Sequence, residues 1–187
     1  MSGKMTAENR LPGDPDHRAL VERFLRVDQA GEYGATRIYA GQLAVLGGRK
    51  TGVVEEIRRM AEQERRHLAR FDRMMVERRV RPTLLSPIWH VAGFALGAAS
   101  AMLGTKAAMA CTEAVEEVID GHYARQAAAL GEDEKELRRE IEEFRADEIA
   151  HRDTAREHGA RAAPAYGLLS GAVKTASRLA IWLSERV

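Results

Sequence analysis

Residues 144–153 read FRADEIAHRD, and in them Glu148 and His151 stand three positions apart. On a helix, positions i and i+3 share a face, so this carboxylate and imidazole point the same way. Of the six histidines only His67, in QERRHLARF (63–71), has the same partner, Glu64. A lone Glu-x-x-His is an ordinary surface pair. Here it occurs twice, at an offset of 84 residues, and its surroundings repeat too. Glu32 precedes Glu64 by 32 residues and Glu116 precedes Glu148 by 32, and a tyrosine, Tyr39 or Tyr123, follows each lone glutamate by seven. The same spacing selects Glu116 over Glu117, which would project about 100° away. Each glutamate lies 15–17 residues from a glycine break, at Gly47-Gly48 or Gly131. At 1.5 Å per residue, all four stand roughly 22–26 Å from their turns. Two helical hairpins packed together thus gather four carboxylates and two imidazoles in one cross-section.

Working outward, the pattern predicts long helices. From His17 to Leu46 there is no proline, and Leu20, Phe24, Val27, Gly31, Ile38 and Val45 recur at helical spacing. A second helix is predicted from Gly52 to Arg79, with Pro82 ending it, a third from Thr105 to Leu130, and a fourth from Glu132 to His158. No stretch alternates with the period of a strand. The expected fold is all-α: a tail at 1–17, then one domain over 18–187 made of hairpins 18–79 and 106–158. Between them, residues 82–105 (PTLLSPIWHVAGFALGAASAMLGT) carry no formal charge over 24 positions. That length could cross a ~30 Å hydrocarbon layer. A true span would put the two hairpins on opposite sides and part Glu64 from Glu116, so the crossover must return to the side it left. Residues 164–187 read as an amphipathic helix, with Leu168, Leu169, Val173, Ala176, Leu179, Ala180 and Leu183 on one face and Lys174 and Arg178 outside it.

Composition narrows the function. The 187 residues hold 29 Lys and Arg against 28 Asp and Glu, a net charge of +1, which argues against nucleic acid as a partner. One cysteine, Cys111, excludes a disulfide framework and a four-cysteine zinc site, and reads as core filler. Residues 1–17 lack the apolar run of a signal peptide.

The candidate metal ligands are therefore Glu32, Glu64, His67, Glu116, Glu148 and His151. This set resembles the ferritin-like di-iron and di-manganese proteins: a Glu from each of two helices and a Glu-x-x-His from each of the other two. Two divalent ions need about four negative charges, and carboxylates with imidazoles suit iron or manganese. Without metal, four such carboxylates set among Met60, Phe71, Phe144 and Ala155 would cost several kcal/mol each or be held protonated. Asp28 and Asp147 are placed to orient a ligand histidine, with a surface position as the default. Tyr39 and Tyr123 read as core tyrosines or as neighbours of the metals. His17, His90, His122 and His158 have no partner spacing.

RVDQAGEYGATRIYAGQLAVLG (26–47), RVRPTLLSPIWHVAGFALGAASAMLG (79–104), ACTEAVEEVIDGHY (110–123) and APAYGLLSGAVKTASRLAIWLSERV (163–187) resemble the demethoxyubiquinone hydroxylase family of ubiquinone biosynthesis. The resemblance implies a ferritin-like bundle and a di-iron monooxygenase. Such an enzyme hydroxylates the ring of a polyprenylated demethoxyubiquinol with O2, and its ligands fall on the same six residues. It further implies two iron ions, NADH as electron donor and a lipid-binding biosynthetic partner protein; the apolar crossover also leaves open a dimer interface, and so a homo-oligomer. No nucleotide-binding loop marks where NADH would bind. The family's setting would be the cytoplasmic side of a bacterial inner membrane, or the matrix side of the mitochondrial inner membrane, with the chain peripheral. Two alternatives explain the ligands: a ferritin-like ferroxidase or peroxidase, and a non-enzymatic lipid-binding scaffold with a structural metal. The first leaves the apolar crossover and the amphipathic tail unexplained. Glu116→Ala separates the second, since a scaffold would keep binding quinone while a hydroxylase would lose turnover.

Overall fold

The computed structural model describes residues 16–187; of the tail predicted at 1–17, residues 1–15 lie outside them, and His17 instead opens the first helix. Six α-helices follow: α1 (His17–Leu46), α2 (Gly52–Arg78), α3 (Ser86–Met102), α4 (Thr105–Ala129), α5 (Lys135–Glu157) and α6 (Tyr166–Ser184). Among the described residues there is no strand. Asp16, assigned from sequence to the tail, caps α1: its carboxylate accepts the Ala19 amide at 2.7 Å. The α1–α2 turn is tied by Arg58, which donates to the Gly47 carbonyl at 2.6 Å.

Helix ends depart from the expectation by small, physical steps. α2 stops at Arg78 because Arg79 turns left-handed, at φ 57°. The residue before Pro82 is in turn barred from the helix. α5 begins three residues late, since Glu132–Glu134 form a 3-10 turn. Asp133 of that turn pairs with His17 at 2.9 Å and fastens the start of α1 to the α4–α5 connection. The two hairpins therefore lie head to tail.

α3 does return to the bundle. Its 17 residues span only about 26 Å, and among the described residues no helix is long and apolar enough to cross a membrane. It lies on α1 with the two backbones in contact. A Cβ on Gly41 would collide with the Phe94 carbonyl oxygen and one on Gly97 with the Ile38 carbonyl oxygen, so both positions require glycine. Of the predicted α1 stripe, Val27 and Ile38 are buried, while Leu20, Phe24, Gly31 and Val45 are only half-buried. Val21, Leu25, Glu32, Tyr39 and Leu46 are also deep, and α3 gives α1 a second covered side at 34–41.

α6 packs on α4, with Val173 buried, Leu169 half-buried and Lys174 paired to Glu117 at 2.9 Å. Its predicted apolar face is split, because Leu168 and Leu179 point outward. Two apolar plugs fill the bundle: one around Tyr39, Leu46, Ile57, Met60 and Met109, the other around Leu25, Phe71, Met74, Tyr123 and Ile141. Cys111 is core, as expected, and burial pushes its thiol up to about 12.

Candidate metal centre

The six predicted residues meet between these plugs, one from α1 and α4 and two from α2 and α5, each no more than 3% exposed. Their donor atoms fall into two overlapping groups, each with its atoms within 4.8 Å of one another. Glu32, Glu64, His67 and Glu148 make the first; Glu64, Glu116, Glu148 and His151 make the second. Glu64 and Glu148 belong to both. His67 Nδ1 lies 3.2 Å from Glu148 Oε1 and 3.6 Å from Glu32 Oε2. His151 Nδ1 lies 3.0 Å from Glu64 Oε1 and 3.3 Å from Glu148 Oε2.

These atoms are not satisfied by one another. Glu32 Oε2, Glu64 Oε1, both Glu148 oxygens, His67 Nδ1 and His151 Nδ1 are buried with no hydrogen-bond partner. Such groups cost about 1–3 kcal/mol each when left so. Hard oxygen donors and imidazole nitrogens converging in this way fit a pair of first-row divalent cations. Electrostatics of the metal-free chain agree. Burial, with Glu148 beside it, holds Glu64 well above the usual carboxylate range, and burial does the same to Glu116. Burial opposes a charge on His67, but the Glu148 and Glu32 carboxylates beside it carry it to about 11. Burial pushes His151 down. The cluster thus holds protons that cations would displace.

The outer contacts cross between hairpins. Tyr39 donates to Glu116 Oε1 at 2.9 Å, and Tyr123 donates to Glu32 Oε1. The outer nitrogen of His67 bonds Asp147 at 3.0 Å, and that of His151 bonds Gln63 at 3.2 Å. Both tyrosines are therefore neighbours of the cluster rather than ordinary core residues. Asp147 is at once on the surface and the partner of a cluster histidine. Asp28, for which a surface position was the default, is buried instead; burial raises its carboxyl above the usual range. It accepts from Gln126 at 2.7 Å and lies 3.2 Å from His122.

Sequence reasoning missed Gln63, and for His122, whose default was a surface or structural role, it missed the pairing with Asp28. Gln63 was findable, since the offset of 84 that pairs Glu64 with Glu148 also pairs Gln63 with Asp147. His122 had no such signal, because its counterpart is Ile38. His90 takes a structural part, its Nδ1 2.6 Å from the Tyr33 hydroxyl.

Beside the cluster, between α1, α3, α4 and α6, lies an apolar cavity of about 260 Å3. Gly31, Gly34, Ile38, Trp89, Val115 and Ile119 are among its walls. α3 and α6 present large apolar side chains outward on either side of it: Ile88, Val91 and Met102 from one, Leu168, Leu179 and Trp182 from the other.

Fold and site together define a class: an α-helical bundle with a four-carboxylate, two-histidine cluster buried between its hairpins. The chain belongs to the family described as ubiquinone biosynthesis protein COQ7, whose model matches residues 19–184. It is 61% identical, over its whole length and 87% of the relative's, to the 3-demethoxyubiquinol 3-hydroxylase of Rhodospirillum rubrum. It is 51% identical to the NADPH-dependent 3-demethoxyubiquinone 3-hydroxylase, mitochondrial, of Mus musculus, covering 92% of this chain and 81% of that one. Against the 5-demethoxyubiquinone hydroxylase, mitochondrial, of Saccharomyces cerevisiae it is 42% identical, covering 90% of this chain and 79% of that protein.

Proposed function

We propose that this chain hydroxylates the ring of a polyprenylated demethoxyubiquinol, with Glu32, Glu64, His67, Glu116, Glu148 and His151 holding two iron ions. The observation that carries this is the pair of overlapping donor groups sharing Glu64 and Glu148. Relatives 42–61% identical are named hydroxylases of this substrate class. Iron bound there would supply the reduction of dioxygen and the transfer of one oxygen atom to the ring. The second oxygen leaves as water, formed with two electrons and two protons. A reduced nicotinamide dinucleotide supplies the electron pair; NADH is implied by the family resemblance, and the mouse relative's name specifies NADPH.

The chain's own residues do the rest. Tyr39 and Tyr123 hold Glu116 and Glu32 in place. Asp147 and Gln63 fix the ring orientation of His67 and His151. Phe144, stacked on His67 at 4.1 Å, and the fully buried Met60 and Phe71 exclude water.

The cavity receives the quinol. Its roughly 260 Å3 falls below the ~300–1,000 Å3 typical of small-molecule sites, so a long tail must leave it. The uncharged α3 and the outward Leu179 and Trp182 of α6 offer that exit to a bilayer surface. Exposed Arg81 and Lys106 at the ends of the crossover suit anionic headgroups. The same face can take a lipid-binding partner or a second copy of the chain. The Rhodospirillum rubrum relative suits the cytoplasmic side of a bacterial inner membrane, and the mouse and yeast relatives, named mitochondrial, suit the matrix side of the mitochondrial inner membrane.

Iron-loaded protein supplied with a reduced nicotinamide dinucleotide, O2 and a short-tailed demethoxyquinol should release hydroxylated quinol, detected by mass. Iron-dependent nucleotide oxidation with no change in the quinol would refute the assignment. Sedimentation with anionic vesicles, lost on replacing Leu179 and Trp182 by glutamate, tests the membrane face.

A further inference from the structure

The cluster is sealed from solvent, so a quinol ring must reach it from inside the molecule. Its two ends are plugged by fully buried side chains, Met60 with Tyr39 and Phe71 with Leu25. The α2–α5 seam is polar. Arg70 there grips Glu140 through two hydrogen bonds of 2.9 and 3.1 Å, beside the His67–Asp147 and His151–Gln63 pairs. The α1–α4 seam is different: it is apolar and borders the cavity through Gly31, Ala35, Val115 and Ile119.

We propose that Ile119, closing against Gly31, is the door through which the quinol ring passes from the cavity to the Glu–His cluster; this rests on the function proposed above. Gly31 adjoins Glu32, and Ile119 stands one turn after Glu116. A Cβ built on Gly31 would meet a single group within 4 Å, the Ile119 Cδ1 methyl, at 3.8 Å. One terminal methyl group therefore fills the gap that the glycine leaves in the seam. Ile119 is half-buried and packs against both the core around Ile38 and Val115 on the cavity side and the core around Tyr123 beyond it. A rotation about its outer side-chain torsion displaces Cδ1 without moving the backbone. The repeat is broken at this point: the counterpart of Ile119 is Ala35, and that of Gly31 is Val115. At the counterpart pair in the same seam Ala35 stands on α1 and Val115 on α4, so the glycine gap occurs once.

The test uses the iron-loaded full chain. Ile119→Phe thickens the door, and Gly31→Ala adds one methyl group at ordinary contact distance from Cδ1, so that variant folds. Quinone quenching of tryptophan fluorescence, with Trp89 on the cavity wall, reads binding. Both variants should keep iron content and quinone affinity while kcat for hydroxylation falls about tenfold. Adding Ile119→Val to Gly31→Ala removes the opposing methyl group and should restore kcat, a rescue that general loosening would not produce. Wild-type turnover in both variants would overturn the door, as would binding weakened by the same factor as turnover. A wild-type chain that binds quinone but never hydroxylates it overturns the underlying function as well, and the wild-type rate alone tells the two failures apart.

Discussion

Tyr39 on α1 donates its hydroxyl to Glu116 on α4 at 2.9 Å, and Tyr123 on α4 returns the bond to Glu32 on α1. Each hairpin thus steadies the lone glutamate of the other. Both phenols are buried, with burial and the neighbouring carboxylates holding them well above their usual pKa, so they act as neutral donors. Tyr39→Phe and Tyr123→Phe should each lower metal affinity about 10- to 100-fold, by analogy with other outer partners of metal ligands. Titration with Fe(II) or Mn(II) measures it; an effect confined to one tyrosine would contradict the exchange.

The histidines are held by the same cross-hairpin exchange. Asp147→Ala frees His67 Nε2 and leaves His151 and its Gln63 contact untouched. The group of donors that includes His67 should weaken, again about 10- to 100-fold, while the other retains its ion. Metal stoichiometry at limiting concentration should drop from two towards one.

Metal binding should release protons. Burial holds Glu64 and Glu116 well above the usual carboxylate range, and His67 is carried to about 11. Lower pH favours these bound protons, so affinity for Fe(II) or Mn(II) must rise with pH. Calorimetry in buffers of different ionisation enthalpy counts the protons released; pH-independent binding would contradict the cluster's electrostatics.

Glu113 pins α6. Fully buried, it accepts from Arg156 at 2.6 Å, Arg161 at 3.2 Å and the Tyr166 hydroxyl at 3.0 Å. Burial alone would raise its carboxyl, but these donors prevail and hold it below the ordinary 4.5. A depressed folded value means its stabilisation is present above about 4.5 and is lost as pH falls through that folded value. Glu113→Gln should cost about 1–3 kcal/mol and flatten the acid limb of the stability curve. Hydrogen exchange in α6 should rise first.

Much of the site was legible because a helix turns spacing into direction: Glu64, His67, Glu148 and His151 follow from two three-residue intervals. Helix length did the same for Glu32 and Glu116. The partners of the cluster were harder, since Gln63 acquires its role only when the hairpins pack head to tail, as does the buried Asp28–His122 pair. Nor could one helix's pattern show that α1 is covered on two faces. That follows from Gly41 and Gly97, whose missing side chains let α3 touch α1. The outward Leu168 and Leu179 show the limit in α6, where apolar spacing alone does not say what the apolar face meets.

The most direct measurement is a single turnover under labelled O2. Anaerobic Fe(II)-loaded protein is mixed with a demethoxyquinol, exposed to 18O2, and the quinol weighed by mass spectrometry. The proposed chemistry requires one 18O atom in the ring of the product, and its loss in Glu148→Ala, which removes a carboxylate common to both donor groups. Oxidised iron beside an unchanged quinol would contradict it.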